Sequence, residues 1–457
     1  MTQTKTKKAL LMSVLSMLLC VAMLVGMTFA WFTDTASTNV NKIVSGNLKV
    51  DIVGANNMDP VEKLNFTKAA GAGDEQLLWE PGCRYVTEGF RIANKGDLAL
   101  KWKAQVNKGA TLDNEGDFDL LDVIEFYVVT STDEDAEAIA IDNFNGHLKK
   151  TETSDVYYIK GVMQTTAGND YQGLTLDGIT ITVYATQDTV ENDSYGNTYD
   201  SGATLPETKT ASDAASIAAA VADLETAGNK NVAVTITKDM NNTSGIKTAK
   251  GNTFTMDLNG KTVGVSYGDG SANTTTNGMQ LLQGSTVTLK NGTYKANHGN
   301  NADHNIAILI QNYSNLTIDN CTLDMREAND TAGNSKGTSY ALSTNCGKVV
   351  IKGKTNIYSR SGEYALDVMH WENASYKEEG TSVVFEDSMT GTVDGKIDVY
   401  CYRSSAVVKP VVDGGATLVI KGGTFKNSGL SLDEFKAFVP AGYNVTTNAD
   451  GSFTVGK

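Results

Sequence analysis

Val287-Thr288-Leu289-Lys290-Asn291-Gly292 is one copy of the motif that decides the fold of the second half of this chain. Before it stands Phe254-Thr255-Met256-Asp257-Leu258-Asn259-Gly260. After it come Leu316-Thr317-Ile318-Asp319-Asn320-Cys321, Val349-Val350-Ile351-Lys352-Gly353, Val383-Val384-Phe385-Glu386-Asp387 and Leu418-Val419-Ile420-Lys421-Gly422-Gly423. With Leu258, Leu289, Ile318, Ile351, Phe385 and Ile420 taken as equivalent, the spacings are 31, 29, 33, 34 and 35 residues. A near-constant period of that size marks a stacked repeat, in which each unit buries its apolar strand against its neighbours. Each copy offers a short apolar strand, an Asn or Gly turn, and a second strand such as Thr293-Tyr294 or Thr322-Leu323-Asp324-Met325. Asn259, Asn291 and Asn320 fall at the turn, where Asn tolerates left-handed backbone and its amide can bond from coil to coil.

This pattern over residues 231–457 resembles a right-handed parallel β-helix of the pectate-lyase-like type. Just before it, residues 212–228 read as the clearest helix in the chain. Ser212 is the expected cap, Asp213 suits the positive end of the dipole, Ile217, Val221 and Leu224 share a face, and Gly228 is the stop. Such a helix would cover one open end of the stack, and Phe435, Phe438, Tyr443, Val445, Phe453 and Val455 would close the other. The Ser-, Gly-, Asn- and Thr-rich stretch 193–210 reads as a linker.

The first half reads as a two-sheet sandwich. Leu48, Val50 and Ile52 alternate inward with Lys49 and Asp51 outward, the period of a half-buried strand. Phe90 and Ile92, then Leu98, Leu100 and Trp102, repeat the alternation across a compact Asn94-Lys95-Gly96 turn whose glycine is available for positive φ. Residues 123–130 and 175–186 add further strand runs, with polar turns and no long helix between them.

At the N-terminus, Lys5, Lys7 and Lys8 precede 22 almost uniformly apolar residues from Ala9 to Ala30. A basic head, an apolar run and small residues at its end make an export signal, with cleavage expected between Ala30 and Trp31. The rival is an uncleaved anchor, since the run at about 1.5 Å per residue is just long enough to span a bilayer. Beyond it, Ala30-Trp31-Phe32-Thr33-Asp34-Thr35 and Val44-Ser45-Gly46-Asn47-Leu48-Lys49-Val50 resemble the start of the TasA/camelysin family. Glu80-Pro81-Gly82, Phe90-Arg91-Ile92-Ala93-Asn94-Lys95-Gly96-Asp97-Leu98-Ala99-Leu100 and Ile181-Thr182-Val183-Tyr184-Ala185-Thr186-Gln187 continue the likeness. These are Gram-positive surface and biofilm-fibre proteins exported through a SipW-type signal peptidase, and the resemblance covers about residues 1–200. It implies a jelly-roll sandwich and assembly by pairing the N-terminal strand of one subunit into the next. The matching candidate donor strand here carries Trp31, Phe32, Val40, Ile43, Val44 and Leu48. The expected fold is thus all-β, with an N-terminal jelly-roll-like β-sandwich and a C-terminal right-handed parallel β-helix with a short capping α-helix. The expected division is 1–30 signal peptide, 31–200 sandwich, 201–230 linker and capping helix, and 231–457 repeat domain.

The 457-residue chain carries a net charge of −15, and loss of the three leader lysines would take it to −18. That sign repels nucleic acid, which is excluded as a partner. Cys83, Cys321, Cys346 and Cys401 lie beyond the leader without metal spacing, and read as small buried residues, with a Cys321–Cys346 bridge as the alternative. No His-Glu-x-x-His, phosphate loop or Gly-x-Ser-x-Gly occurs. His298 and His304 share an Asn/Gly-rich loop that reads as solvated. Carboxylate groups of the kind carbohydrate enzymes use occur as Asp324, Arg326 and Glu327, as Asp367, His370 and Glu372, and as Asp394 with Asp398. Tyr340, Tyr358, Tyr364, Trp371, Tyr376, Tyr400 and Tyr402 crowd one region, where rings can stack on sugars or protein. Tyr364, Asp367, His370, Trp371, Tyr402 and Arg403 are the candidate ligand face. No cofactor or metal is implied, and nothing argues for catalysis. The expectation is a secreted, cell-surface structural or adhesive protein whose partners are other copies of itself, matrix proteins or glycans. The alternative is a carbohydrate-binding β-helix, or a polysaccharide lyase or glycoside hydrolase.

Overall fold

A computed structural model describes residues 47–61, 63–68, 77–112, 118–188, 204–269, 276–297, 306–328, 338–371, 380–403, 406–408 and 415–457. The leader with its Ala30–Trp31 junction lies outside the described residues, as do Trp31, Phe32, Val40, Ile43 and Val44, His298, His304, Glu372 and Tyr376. Asn47 to Lys457 form one compact unit. No helix among the described residues is long and apolar enough to cross a membrane.

The sandwich is entirely antiparallel. One sheet joins Phe66–Thr67, Arg84–Thr87, Tyr158–Met163, Ile124–Val129 and Ala138–Ile139. Facing it are Thr175–Gln187, Leu100–Leu112 and Asn145–Leu148, with Val50–Gly54 paired to Phe90–Asn94 at the side. Phe90, Ile92, Leu100, Trp102, Phe126 and Phe144 fill the space between. The alternation at 90–102 is borne out, since Phe90, Ile92, Leu100 and Trp102 are all buried. The two strands nevertheless do not form a hairpin, because each pairs in a different sheet. Gly96 serves close approach and not positive φ: a Cβ there would meet the amide N of Lys49 at 2.7 Å. Leu48, expected to point inward, is 37% exposed.

From residue 207 the chain winds as a right-handed parallel β-helix. Its first face stacks strands including Asn231–Ile236, Thr253–Asp257, Gly347–Lys352, Thr381–Phe385 and Ala416–Ile420, with the first parts of Thr286–Ala296 and Asn315–Asp324 between them. The register aligns Leu289, Ile318, Ile351, Phe385 and Ile420 as the motif requires. In the first copy it aligns Met256, not Leu258, with Leu289, so that spacing is 33. The cause is the turn, which holds four residues there (258–261) against two, Asn291 and Gly292, in the next coil. Asn259, Asn291 and Asn320 all sit at positive φ, and their amides do bond between coils. Asn291 Nδ2 donates to Asp257 Oδ1 at 3.1 Å, and Asn320 Oδ1 accepts from the amide N of Lys354 at 2.8 Å.

The second face aligns the buried Val263, Tyr294, Leu323, Ile357, Val393 and Phe425. The third aligns Ile246, Met279, Ile310, Leu342, Leu366 and Ile397. Cys321 and Cys346 are both buried inside this stack as separate thiols, so the alternative bridge does not form.

Both ends are closed. Helix Ala214–Val221, shorter than expected, starts at Asp213 and not Ser212, because Asp213 and Ser216 form a reciprocal capping box. A 3-10 turn, Ala222–Leu224, extends it, and Ile217, Val221 and Leu224 are buried as read. Residues 207–211, expected in the linker, instead form strand Glu207–Ala211, which pairs parallel to Asn231–Ile236 and begins the stack. At the far end, helix Leu432–Lys436 and the hairpin of Asn444–Thr447 with Phe453–Gly456 cover the last coil. The sandwich contacts the first coils directly: Thr180 Oγ1 donates to Asn259 Oδ1 at 3.0 Å, and Thr235 Oγ1 to Gln105 Oε1 at 3.3 Å.

A charge ladder runs down the outside of the first face. The residue at the end of each apolar strand is Asp257, Lys290, Asp319, Lys352, Glu386 and Lys421, strictly alternating in sign. Lys290–Asp257, Lys352–Asp319 and Lys421–Glu386 close at 3.2, 3.1 and 2.9 Å. A slip by one coil would bring like charges together, so the ladder disfavours misregistered stacking. Lys352→Glu would set three acids in a row, and is expected to cost about 1 kcal/mol more than Lys352→Met in urea unfolding.

Candidate functional site

On a strand, alternate residues point to opposite sides. In the third face, Leu342, Leu366 and Ile397 point into the lumen, so Ser343, Asp367 and Asp398 point out. The same register carries this outer row back to Gln311 and Gln280. Tyr400 stands two residues past Asp398, level with Met369, and two residues further on Trp371 lies level with Tyr402. A neighbouring row aligns Tyr340, Tyr364 and Lys396. Coil stacking thus gathers onto one side of the sheet residues that the sequence spreads over 120 positions, from Gln280 to Tyr400, with Gln280, Gln311, Ser343 and Asp367 buried there.

The packing on this face is close. The Tyr340 and Tyr364 ring centroids lie 5.3 Å apart with planes tilted by 34°, and Lys396 Nζ sits 5.5 Å from the Tyr364 centroid. Ser343 Oγ donates to Asp367 Oδ2 at 2.8 Å, and the Tyr400 hydroxyl donates to the same carboxylate. Burial, then the charge of Asp367, pushes the Tyr340 hydroxyl up to about 12; Asp398 acts in the same sense. Tyr400 is raised further, again by burial first and by Asp367 second. Both phenols therefore stay protonated as donors at any physiological pH. The rings remain half-buried, leaving part of each accessible, while Asp367 and Ser343 form a buried floor.

Of the expected ligand face, Tyr364, Asp367 and Trp371 come together here, with the backbone of Tyr402 beside Trp371. The side chains of Tyr402 and Arg403 lie outside the description. His370 does not belong to the face. Its odd step along the strand turns it inward to 4% exposure, against Gly415, where a Cβ would come within 2.6 Å of its ring.

The other acidic groups also separate. Asp324 and Arg326 pair bidentately on the second face, with Arg326 over the Tyr358 ring at 4.2 Å, and Glu327 takes Lys295 at 2.9 Å. Asp394 ends a second-face strand and accepts from Asn427, away from the third-face row that holds Asp398. Sequence reasoning missed Ser343, Lys396, Gln280 and Gln311, because polar residues in a strand without apolar alternation give no local signal.

A second feature lies in the sandwich. A cleft of about 1270 Å³ opens between the sheets, lined by apolar Ile52, Phe66, Trp79, Phe126, Leu176 and Ile179 together with polar residues such as Lys63, Asn65, Glu80 and Gln172. Strand Thr175–Gln187 forms one wall and, among the described residues, pairs only with Leu100–Leu112.

The fold and the face define the class: a β-sandwich joined to a parallel β-helix with an aromatic and acidic outer sheet. No family profile and no curated protein matches the chain. A search of solved structures finds the catalytic domain of a GH87 alpha-1,3-glucanase in complex with tetrasaccharides, at 9% identity over 84% of each chain and a TM-score of 0.15. A likeness that low carries no argument about activity.

Proposed function

We propose that this chain is a secreted, cell-surface adhesive protein whose β-helix binds a glycan on its third face without cleaving it. The observation that carries the reading is the convergence of Tyr340, Tyr364, Tyr400, Asp367 and Asp398 from three successive coils onto one outer sheet. Half-buried rings give flat apolar area for sugar faces, while fixed hydroxyls and carboxylates give directional partners for sugar hydroxyls. The Asp367 carboxylate is held between Ser343 and Tyr400, which suits a fixed acceptor better than a group that must exchange protons with substrate. The basic-apolar leader supports export, and the TasA/camelysin resemblance of residues 1–200 supports a surface setting. Incubating the purified chain with a panel of polysaccharides tests this. Binding without new reducing ends or unsaturated products supports adhesion, whereas turnover that disappears in Asp398→Asn would make the protein a carbohydrate-active enzyme.

The sandwich cleft favours a second, compatible role in assembly. Its lining includes Ile52, Phe66, Trp79, Phe126, Leu176 and Ile179, and among the described residues the strand that walls it pairs along one edge only, which is what an incoming strand needs for main-chain bonds and side-chain burial. The donor we propose is the segment carrying Trp31, Phe32, Val40, Ile43 and Val44 of another copy. Deleting residues 31–40 is expected to leave a folded monomer in sedimentation; filaments formed by the truncated protein would rule the strand exchange out.

A further inference from the structure

We infer that the outer side of the first face, over its last four coils, is an interface between two copies of this chain. The copies pack sheet on sheet about a two-fold axis parallel to the strands. This surface is separate from both the third face and the sandwich cleft.

Strand alternation sets the chemistry of that surface. Val349 and Ile351, Val383 and Phe385, and Leu418 and Ile420 are buried, so Val350, Val384 and Val419 between them point outward. The register lines up these valines on successive coils, after Thr317 in the coil before. Two residues further along each strand stand Asp319, Lys352, Glu386 and Lys421 of the charge ladder. Ion pairing within one chain accounts for the charged row. It does not account for three outward valines beside it, where a solvated sheet face carries polar residues.

This part of the face is accessible. The Asp257 side chain, next to the sandwich contacts at Asn259 and Thr235, is 5% exposed, whereas those of Asp319, Lys352, Glu386 and Lys421 are 26, 42, 32 and 29% exposed. Four strands about 4.8 Å apart and about five residues long make roughly 300 Å² of flat sheet. A standard interface takes about 800 Å² from each partner, so this pairing is weak, with an expected dissociation constant of about 100 μM.

The order of signs selects the partner. A two-fold axis lying between the sheets, parallel to the strands and midway between the coils of Lys352 and Glu386, keeps each row facing its own row and reverses the coil order. Lys352 then faces Glu386 of the second copy, Asp319 faces its Lys421, and Val350 faces its Val384. Each pair is made twice, as in any closed two-fold contact. The run −, +, −, + becomes its own opposite on reversal, so every charge meets the other sign. Stacking with the coil order unchanged would set like charges face to face. An axis along the β-helix would instead put the ladder against Asn315, Lys348, Ser382 and Thr417, which offer it no acid. Packed sheets lie about 10 Å apart, a gap that Lys and Glu side chains bridge from the two sides. Each ion then has one partner in its own chain and one across the axis, a network in place of isolated pairs.

Sedimentation equilibrium of the full chain tests this, with the chain lacking residues 31–40 as the control for strand exchange. A dimer with a dissociation constant of about 100 μM is expected in both, weakened about fivefold in about 1 M salt. At about 5 μM, where strand exchange is read, such a chain is about nine-tenths monomer. Lys352→Glu and Glu386→Lys are each expected to weaken the dimer at least about tenfold, because each sets two like pairs across the axis. An equimolar mixture of the two variants is expected to regain the affinity of the unchanged chain, since every pair across the axis is then opposite in sign. Circular dichroism checks that both variants are folded. No dimer up to about 1 mM, or a mixture no tighter than the single variants, would overturn the inference. So would a dimer that disappears with residues 31–40, which would belong to strand exchange.

Discussion

Replacing Phe385 by alanine is expected to cost about 4 kcal/mol and to unravel the C-terminal coils before the rest of the molecule. Phe385 is fully buried in the lumen and meets Phe425 edge-to-face at 5.1 Å. Phe425 meets Phe435 of the closing helix at 5.1 Å, and Phe435 meets Phe453 of the terminal hairpin at 4.8 Å. One ring thus begins a stack that ties the last two coils to their cap. Large-to-small changes leave a cavity that rigid, backbone-bonded coils cannot collapse to fill. In a solenoid each coil contacts only its neighbours, so the loss is felt locally. Hydrogen exchange should therefore quicken over residues 381–457 while 231–296 keeps its protection. Phe385→Leu, which keeps most of the volume, is expected to cost about 1 kcal/mol. Uniform loss of protection along the helix would mean that the coils unfold as one cooperative body.

The double change Tyr364→Ala with Tyr400→Ala is expected to weaken glycan binding about a hundredfold and to leave the fold intact. Tyr364 is half-buried on the outside of the sheet, so its loss removes ring area without opening the lumen. Tyr400 adds a hydroxyl fixed by Asp367, and its truncation also releases that carboxylate to water. Tyr364→Phe, which keeps the ring, should bind nearly as the unchanged protein does. Equal losses from the Phe and Ala changes would place the contribution in the hydroxyl and not in stacking. The measurement is the dissociation constant for the glucose hexamer, with circular dichroism as the check on folding.

Much of the β-helix is legible in the sequence because its first face is buried on one side and repeats at a fixed place before an Asn or Gly turn. Leu289, Ile318, Ile351, Phe385 and Ile420 align as read. The misreading of Leu258 for Met256 comes from counting back from the turn, which is two residues longer in that coil. The third face is harder. Its strands carry Gly278 and Gln280, or Ser343 and Thr344, where apolar alternation would be expected, so they resemble loops until the coils are stacked. For the same reason, proximity along the chain paired Asp394 with Asp398 and Asp367 with His370, whereas the register pairs Asp367 with Asp398 and turns His370 away. The charge ladder was visible all along: Asp257, Lys290, Asp319, Lys352, Glu386 and Lys421 sit one place after each aligned apolar residue. Its signal was sign alternation at the period of the repeat, which only an alignment of the copies exposes.

The most direct measurement is hydrogen exchange of the full chain with and without the glucose hexamer at saturating concentration. Glycan binding on the third face is expected to slow exchange in the strands Tyr340–Thr344, Tyr364–Trp371 and Lys396–Arg403, and to leave Arg84–Thr87 and Thr175–Gln187 of the sandwich unchanged. Protection confined to the sandwich strands, or bound sugar with no change in those three strands, would contradict it.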